Sequence, residues 1–271
     1  MRKLEKVNKE SQHSILSKTG PVVSLTTFGE RVHSVFYTIE SIGCGDQLPS
    51  RLTLWLNDDQ FKHPLPDSLT RLVARGLDIR PCVDHGPHKK YLPEVQAYPD
   101  LDTPFVTADD DTLYPRFWLK KLFEAYQSNP SNIYCFRAHQ IRLKSDATFE
   151  NYKNWGKCLS KEPSHLHFST GDCGVLFPPK MRTILNEAGL NFIEKCPKAD
   201  DIWLNRNAFS AGVPVSQVVL VSKRFYEVPG TRGGALAQYN NGQGGNDKQL
   251  SLTYSEPDRL KLLSIQKNAA H

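Results

Sequence analysis

The sequence predicts an α/β fold in which a mostly parallel β-sheet is flanked by helices. Three observations support this prediction. Short apolar runs alternate, from about residue 21 onward, with segments whose apolar residues recur at helical spacing. Glycines follow several of these segments, where helices and strands commonly stop. Three consecutive aspartates, Asp109 to Asp111, directly follow the apolar pair Phe105-Val106, and ligands of α/β sheets bind at the carboxyl ends of strands.

Length and composition restrict the class of protein. The chain has 271 residues, 39% of them hydrophobic and 23% charged, which is typical of one large globular α/β domain or two small ones. No apolar run is long enough to span a membrane, and the polar N-terminus differs from a secretory signal. The net charge of +5 suits anionic ligands or an acidic membrane surface. We therefore expect a cytoplasmic protein, with peripheral association at the inner face of the membrane as an open alternative.

The first half of the chain alternates strands with helices. Residues 1–20 are expected to form a frayed polar leader. The predicted strands and helices that follow are a strand over Pro21–Phe28, a helix over Arg31–Ile42, a strand over Leu52–Leu56, a helix from Asp67 to Gly76, a strand over Leu77–Cys82, an irregular helix over Lys89–Tyr98 and a strand that ends at the aspartates.

The second half is less regular. Its predicted elements are an aromatic helix around Trp118, a strand over Asn132–His139, a long loop over 142–167, a glycine-broken strand over Phe168–Phe177, helices over Lys180–Ala188 and from Asp200 to Gly212, and a strand over Val213–Val221. Residues 226–271 are predicted to form a mobile glycine-rich tail. The six scattered cysteines, without a Cys-x-x-Cys pair, are interpreted as reduced thiols.

The three aspartates are the strongest candidate for chemistry. Held on a tight turn, alternate carboxylates can bind a hard divalent cation, which in turn can hold a diphosphate. The alternative is a solvated acidic turn in which Asp111 caps the following helix. A second acidic pair, Asp200-Asp201, lies at a predicted helix start, where an N-cap is the alternative interpretation.

Five short elements of the sequence resemble one family. They are Thr26-Thr27-x-x-x-Arg31, His88-Lys89-Lys90-Tyr91, Ala108-Asp109-Asp110-Asp111, Thr170-Gly171-Asp172-x-Gly174-Val175-Leu176 and Ala199-Asp200-Asp201-Ile202-Trp203. In this order they resemble bacterial, family 2-like GT-A glycosyltransferases, which use nucleotide-sugars to build surface polysaccharide or lipopolysaccharide. The resemblance runs from about Pro21 to Gly212. It implies a GT-A fold with a nucleotide-sugar half over 21–140, an acceptor half over 141–225 and a C-terminal lid over 226–271.

The resemblance also implies a donor site. Thr26 and Thr27 would bind the base or ribose, and Arg31 a phosphate. Lys89 or Lys90 would face the diphosphate, and Asp109 with Asp110 would bind the nucleotide. As alternatives, the threonines are ordinary strand residues and the cationic side chains are solvated.

A Mn²⁺ or Mg²⁺ ion would bind Asp109 and Asp111, and Asp247 or His139 is a candidate for the remaining ligand. The expected partners are thus a nucleotide-sugar donor and a divalent cation.

For the acceptor half, the resemblance implies that Asp201 takes the proton of the acceptor hydroxyl, with Asp200 holding the acceptor. Gly171 would allow close approach, Asp172 would bond a sugar hydroxyl, and Trp155 would stack on a sugar face. Trp203 is expected in the core, and His165 with His167 is interpreted as structural. The base could instead be Asp200, and the aspartate pair could be only a helix cap.

The predicted function is metal-dependent transfer of a sugar from a nucleoside-diphosphate sugar to a hydroxyl of a glycan or glycolipid, with inversion expected but not decided against retention. A nucleotidyltransferase is the enzymatic alternative, although the segment Ser24–Glu30 is poor in the glycines that such enzymes use. A non-enzymatic glycan-binding module is the other alternative. Nucleic acid is not an expected partner, because basic residues are not clustered.

Overall fold

The computed structural model describes residues 1–222, 224–231, 239–240 and 244–269. Its strands are β1 (Val22–Thr26), β2 (Arg51–Asn57), β3 (Asp78–Cys82), β4 (Phe105–Ala108), β5 (Thr112–Leu113), β6 (Ile133–Cys135), β7 (Ala138–Gln140), β8 (His167–Ser169), β9 (Val175–Phe177), β10 (Val215–Gln217) and β11 (Tyr226–Glu227). Its helices are α1 (Arg2–Glu10), α2 (Val35–Gly43), α3 (Asp58–Phe61), α4 (Asp67–Val73), α5 (Leu92–Ala97), α6 (Trp118–Ser128), α7 (Lys180–Ala188), α8 (Phe192–Lys195), α9 (Asp200–Ser210), α10 (Gly245–Thr253) and α11 (Glu256–Asn268).

A seven-stranded sheet forms the centre of the molecule, in the order β10-β6-β9-β4-β1-β2-β3. Neighbouring strands run parallel except for β9, which is antiparallel to both β4 and β6. The prediction of an α/β fold with a mostly parallel sheet between helices is therefore confirmed. Because β1 and β4 are adjacent and parallel, the residues that follow Thr26 and Ala108 lie at the same edge of the sheet.

Alternate residues of the central strands face opposite helical layers. Val22 and Phe105 pack into the core formed with α5, α7 and α9. Val23 and Val106 pack into the core formed with α2, α4 and α6. Both faces of the sheet are therefore covered, which is the arrangement expected for parallel strands with nearly continuous apolar sequences. The buried sheet fixes the strand ends that carry the site.

The N-terminal residues differ from the predicted frayed leader. Residues Arg2–Glu10 form α1, whose buried Asn8 donates to Glu40 Oε1 on α2 at 2.9 Å. The same oxygen accepts from Arg75 Nη1 at 2.6 Å, and both charged side chains are buried. A buried carboxylate requires such partners. This polar contact explains why a strongly polar segment lies against the domain.

The C-terminal region also differs from a mobile tail. Both α10 and α11 pack on the core through Leu250, Tyr254 and Leu262, which are fully or almost fully buried. Ser255 and Asp258 form a capping box at the start of α11. Residues 232–238 and 241–243, which include the central glycines of the predicted lid, lie outside the described residues. The lid therefore stays a prediction.

All six cysteines are reduced thiols, as the sequence predicts. Among the helices of the described residues, none combines the length and the apolar character that crossing a membrane requires.

Candidate active site

A cleft of about 1180 Å³ opens at the edge of the sheet where β1 and β4 end. This volume is above the range of roughly 300–1,000 Å³ that is usual for ligand pockets, so it has room for a ligand larger than a single sugar. The cleft is lined by residues from both halves of the chain. The residues that the sequence singled out and that line it are Thr26, Thr27, Arg31, Lys89, Lys90, Asp109, Asp110, Asp111, His139, Trp155, Gly171, Asp172, Asp200 and Asp201. The fold thus brings these residues to one site, with the exception of Asp247.

Asp110 anchors the aspartate turn to the first strand. Its carboxylate accepts from Thr27 Oγ1 at 2.6 Å and from Arg31 Nη1 at 2.8 Å. Its backbone carbonyl accepts from Thr38 Oγ1 at 2.9 Å. Burial raises the pKa of Asp110, although Thr27 and Arg31 oppose the shift. Thr27 and Arg31 therefore bind a carboxylate of the protein in this structure, where the sequence predicts contacts with a nucleotide.

Asp111 lies nearer the cleft than Asp110. One of its oxygens is 3.1 Å from Arg31 Nη1, and its side chain is 23% exposed. Burial, followed by the charges of Asp109 and Asp110, raises the pKa of Asp111 to about 6. Its backbone carbonyl accepts from Val228 N–H at 2.7 Å, next to the antiparallel pairing of β5 with β11. The turn is thus held from the C-terminal side as well.

Lys90 joins the two acidic clusters. Its Nζ lies 2.9 Å from Asp109 Oδ1 and 3.0 Å from Asp200 Oδ2. Burial alone would lower the pKa of Lys90, but the carboxylates of Asp109, Asp200 and Asp201 raise it well above the usual lysine value. Lys90 is therefore a permanent cation between the strand-end turn and the start of α9.

Asp201 faces this cation from the first turn of α9. Both of its oxygens lie 3.1 Å from the backbone N–H of Gly171, which donates to them. Burial, with the neighbouring charge of Asp200 as the next cause, raises the pKa of Asp201 to about 8. Burial also raises the pKa of Asp200, which Lys90 partly counteracts. A carboxyl group with a pKa near neutrality is suited to exchange protons with a substrate.

Glycine at position 171 allows this close approach. A Cβ at Gly171 would lie 2.8 Å from Lys90 Nζ and 3.0 Å from Asp201 Oδ1. Any other residue would therefore displace one of the two charged groups. The groups that approach Gly171 in this structure are those of the protein itself, and close approach of an acceptor stays a prediction.

Asp172 belongs to a second polar group of the cleft, with Thr170 and Arg137. It accepts from Arg137 Nη1 and from Thr170 Oγ1, each at 2.8 Å. Arg224 Nε lies 3.9 Å from the same carboxylate. Trp155 contributes less surface than a stacking platform requires, because it is 4% exposed and its indole N–H donates to Glu150 O at 3.1 Å. Trp155 packs instead among the aromatic rings of the core.

Two predicted donor contacts already have partners within the protein. Thr26 Oγ1 donates to Trp55 O at 2.8 Å, which ties β1 to β2. Lys89 Nζ lies 3.0 Å from Asp84, and the lysine is buried. Either side chain can still face a ligand, since both line the cleft. Their partners show that the two residues also stabilise the walls of the site.

Asp247 and His139 contact other parts of the protein, and of the two only His139 lines the cleft. Asp247 accepts from the backbone N–H of Tyr152 at 2.7 Å and fixes the short turn at Tyr152–Asn154. His139 Nε2 lies 3.2 Å from Arg137 Nη2, and burial followed by the charge of Arg137 lowers the pKa of this histidine. Both residues therefore have partners within the protein, at Tyr152 and Arg137.

The arrangement of the aspartates does not fit a resident divalent cation. Asp109 is paired with Lys90, while Asp110 and Asp111 are paired with Arg31. In the part of the chain that the structure describes, no three His, Cys, Asp or Glu side chains are placed so that they could hold a metal ion. Oxygen ligands of the right chemistry are present. Their charges, however, are partly compensated by Arg31 and Lys90.

Sequence reasoning missed several residues that line the cleft. Arg137 lies two residues after the end of the apolar strand β6, and an arginine so close to such a strand is a signal that could have identified it. Arg224, Lys198 and Asn240 also line the cleft. They lie in irregular segments without a pattern, so only the folded chain reveals them.

No protein-family model and no curated protein matches this chain. Solved structures do match it. GalNAc-T7 with UDP, GalNAc and Mn²⁺ superposes with a TM-score of 0.53 at 11% identity, over 81% of this chain and 45% of that chain. Residues 1–349 of S. aureus TarS superpose with a TM-score of 0.52 at 14% identity, over 78% and 60% of the two chains. A CMP:2-keto-3-deoxy-manno-octonic acid synthetase complexed with CTP gives a TM-score of 0.47 at 8% identity, over 83% and 100%.

The matches above 0.5 show that this chain has the GT-A-like, Rossmann-like fold. In both cases the chain spans less than two thirds of the length of the matched structure. The GT-A part of the expected resemblance is therefore confirmed at the level of the fold.

Proposed function

We propose that this protein is a glycosyltransferase that moves a sugar from a nucleoside-diphosphate sugar to a hydroxyl group of a glycan or glycolipid. Three features support the proposal: the GT-A-like fold, the large cleft at the ends of β1 and β4, and the charged groups that line it. Sites of α/β sheets lie at such strand ends. The fold alone does not define a reaction, so the proposal rests on the site.

The contact of Asp201 with Gly171 and its proximity to Lys90 carry the proposal. The carboxylate has a raised pKa of about 8 and accepts from Gly171 N–H at 3.1 Å, next to a buried cation. With this raised pKa, the ionised carboxylate is a stronger base than an ordinary aspartate and can accept a proton from a substrate. The adjacent Asp200, held 3.0 Å from Lys90 Nζ, is then the residue that fixes the position of the cation.

In the proposed reaction, the acceptor oxygen attacks C1 of the sugar and its proton passes to Asp201. The bond between C1 and the diphosphate oxygen breaks, and the nucleoside diphosphate leaves with the electron pair. Attack from the side opposite the leaving group inverts the configuration at C1. Lys90 lies between the turn that would face the donor and the helix that bears the base, so its charge can stabilise the leaving diphosphate.

The donor would bind along Thr26, Thr27, Lys89 and Asp109, and the acceptor along Asp172 and Arg137. Residues 21–140 would then form the donor half, residues 141–225 the acceptor half and residues 226–271 a segment that includes the lid. Participation in surface polysaccharide or lipopolysaccharide synthesis, a cytoplasmic location and peripheral association with the inner face of the membrane stay predictions. The dependence on Mn²⁺ or Mg²⁺ that the resemblance implies stays a prediction too, and no step above requires it.

The donor site can be tested by thermal unfolding with a panel of nucleoside-diphosphate sugars, each with and without Mn²⁺. A donor present at 100 times its Kd should stabilise the protein by about 2.7 kcal/mol, which corresponds to a rise in Tm of roughly 5 °C or more. Asp109→Asn should lose this protection. Asp172→Asn, a matched change on the acceptor side of the same cleft, should retain it.

Two results would count against the donor site. If no nucleotide-sugar of the panel protects the protein from unfolding, the basis for the proposal is removed. Equal loss of protection in both variants would show that the cleft is not divided into donor and acceptor halves. Protection by free nucleoside triphosphates, with none by nucleotide-sugars, would instead favour the nucleotidyltransferase alternative.

A further inference from the structure

Arg31 makes an unusual set of contacts for a residue expected to hold a phosphate. Its Nη1 lies 2.8 Å from Asp110 Oδ1 and 3.1 Å from Asp111 Oδ2. Its Nη2 donates to Thr231 O at 2.8 Å. One guanidinium group therefore binds two consecutive carboxylates of the turn and the backbone of the C-terminal segment at the same time.

The local structure fixes Arg31 in this position. It lies in the short 3₁₀ turn Gly29–His33, which directly follows the first strand. The ring of Phe28 lies 5.1 Å from the guanidinium carbon, within the range of a cation–π contact. The side chain of Arg31 is 22% exposed. Because a guanidinium does not lose its proton in proteins, its positive charge is permanent.

We propose that Arg31 is the internal counter-ion of this turn and that it excludes a divalent cation from Asp110 and Asp111 in the ligand-free protein. Both carboxylates face the same guanidinium nitrogen, and the second oxygen of Asp110 accepts from Thr27 at 2.6 Å. A divalent cation would need several free oxygen ligands and would lie close to a fixed positive charge. The aspartate turn thus carries its own cation, which accounts for its failure to form a three-ligand metal site.

The positive charge of Arg31 can be separated from its hydrogen bonds by substitution. Arg31→Gln removes the charge but keeps a side-chain amide that can donate, whereas Arg31→Lys keeps the charge. Arg137→Gln is a matched control, because it removes another arginine of the same cleft that binds a different carboxylate, Asp172, at 2.8 Å. The comparison distinguishes a local counter-ion from a general change in the charge of the cleft.

The experiment is a titration of the full chain with Mn²⁺. Binding is measured by calorimetry and by the electron paramagnetic resonance signal of free Mn²⁺. Neither donor nor acceptor is present, so the result is independent of the proposed transfer reaction. Arg31→Gln should bind Mn²⁺ about tenfold or more tightly than the wild type, because a neighbouring positive charge is removed from two carboxylates. Arg31→Lys and Arg137→Gln should remain near the wild-type affinity. Adding Asp111→Asn to Arg31→Gln should abolish the gain.

Unchanged or weaker Mn²⁺ binding by Arg31→Gln would overturn the proposal, and so would an equal gain in Arg137→Gln. A second measurement does not depend on the folding of the Arg31 variants. Asp111→Asn in the otherwise wild-type chain should leave Mn²⁺ affinity unchanged, because Asp111 is bound to Arg31. A clear loss of affinity in that variant would show that Asp111 already ligates the cation and that Arg31 does not exclude it.

Discussion

Asp201→Asn should make the protein a poor catalyst and, above neutral pH, a more stable one. The carboxyl is buried beside Asp200, and burial together with that charge raises its pKa from the ordinary aspartate value to about 8. When folding raises the pKa of a carboxyl group, the group contributes its full stability only at pH values below the pKa that it has in the unfolded chain. That contribution is lost as the pH rises toward 8, because folding then requires a charge to be buried. The amide carries no such charge.

The size of the stability effect follows from the pKa shift. Raising the pKa of an aspartate from about 4 to about 8 corresponds to at most roughly 5–6 kcal/mol, at 1.36 kcal/mol per pKa unit. The ammonium of Lys90 and partial access to the cleft reduce this value, so we expect a gain of about 1–3 kcal/mol at pH 8. That gain raises Tm by roughly 3 °C or more. At pH 4 the two proteins should have nearly equal stability, since the carboxyl is protonated in the folded wild type.

Asp201→Asn should lower the rate of the reaction although it raises the stability of the protein. Loss of the base should lower kcat by about 10²–10⁴ while donor affinity stays near wild type. In the wild type, kcat/KM should rise with pH through an apparent pKa near 8, because the base must be ionised, and Asp201→Asn should lose this dependence. Melting curves from pH 4 to 8, together with pH–rate profiles, test both parts. Wild-type turnover in Asp201→Asn, with a large loss in Asp200→Asn, would refute the assignment of the base to Asp201.

Three glycines allow further predictions, one of them as a control. Gly171→Ala should lower kcat by about tenfold or more with a small effect on Tm, because its Cβ would lie 3.0 Å from Asp201 Oδ1; unchanged kcat would show that this contact is irrelevant to the reaction. Gly174→Ala should lower the free energy of unfolding by about 2–4 kcal/mol, because the glycine has a φ of +77° and its Cβ would lie 2.5 Å from the ring of buried Trp118. Gly212→Ala is the control for backbone strain alone, since Gly212 has a φ of +67° and an added Cβ would meet nothing within 4 Å. Denaturant unfolding of this variant should show a loss of about 1 kcal/mol in the free energy of unfolding.

Much of the fold could be predicted because its signals are local. Helical spacing of apolar residues locates α2 and α6, and Lys180–Ala188 has the bounds that the sequence predicts. Aspartates after an apolar strand identify the edge of the sheet that carries the cleft. These features depend on residues close together in the chain.

The remaining features depend on contacts between distant residues. The docking of α1 requires the contact of Asn8 with Glu40, 32 positions away. Arg31 contacts Thr231, 200 positions away, so no local pattern indicates that this arginine is already occupied. Likewise, the close approach of Asp201 to Gly171 joins a helix start to a turn that follows β8. The sequence identifies the charged groups but not which of them neutralise one another.

Product analysis tests the central claim most directly. The purified chain would be incubated with the nucleotide-sugar that protects it from unfolding and with glycan acceptors, in parallel with Asp201→Asn. The wild type should release nucleoside diphosphate in equal amount to a glycosylated acceptor with inverted configuration at C1, and the variant should release about 10²–10⁴ times less in the same period. Release of pyrophosphate, or equal amounts of glycosylated product from both proteins, would contradict the account.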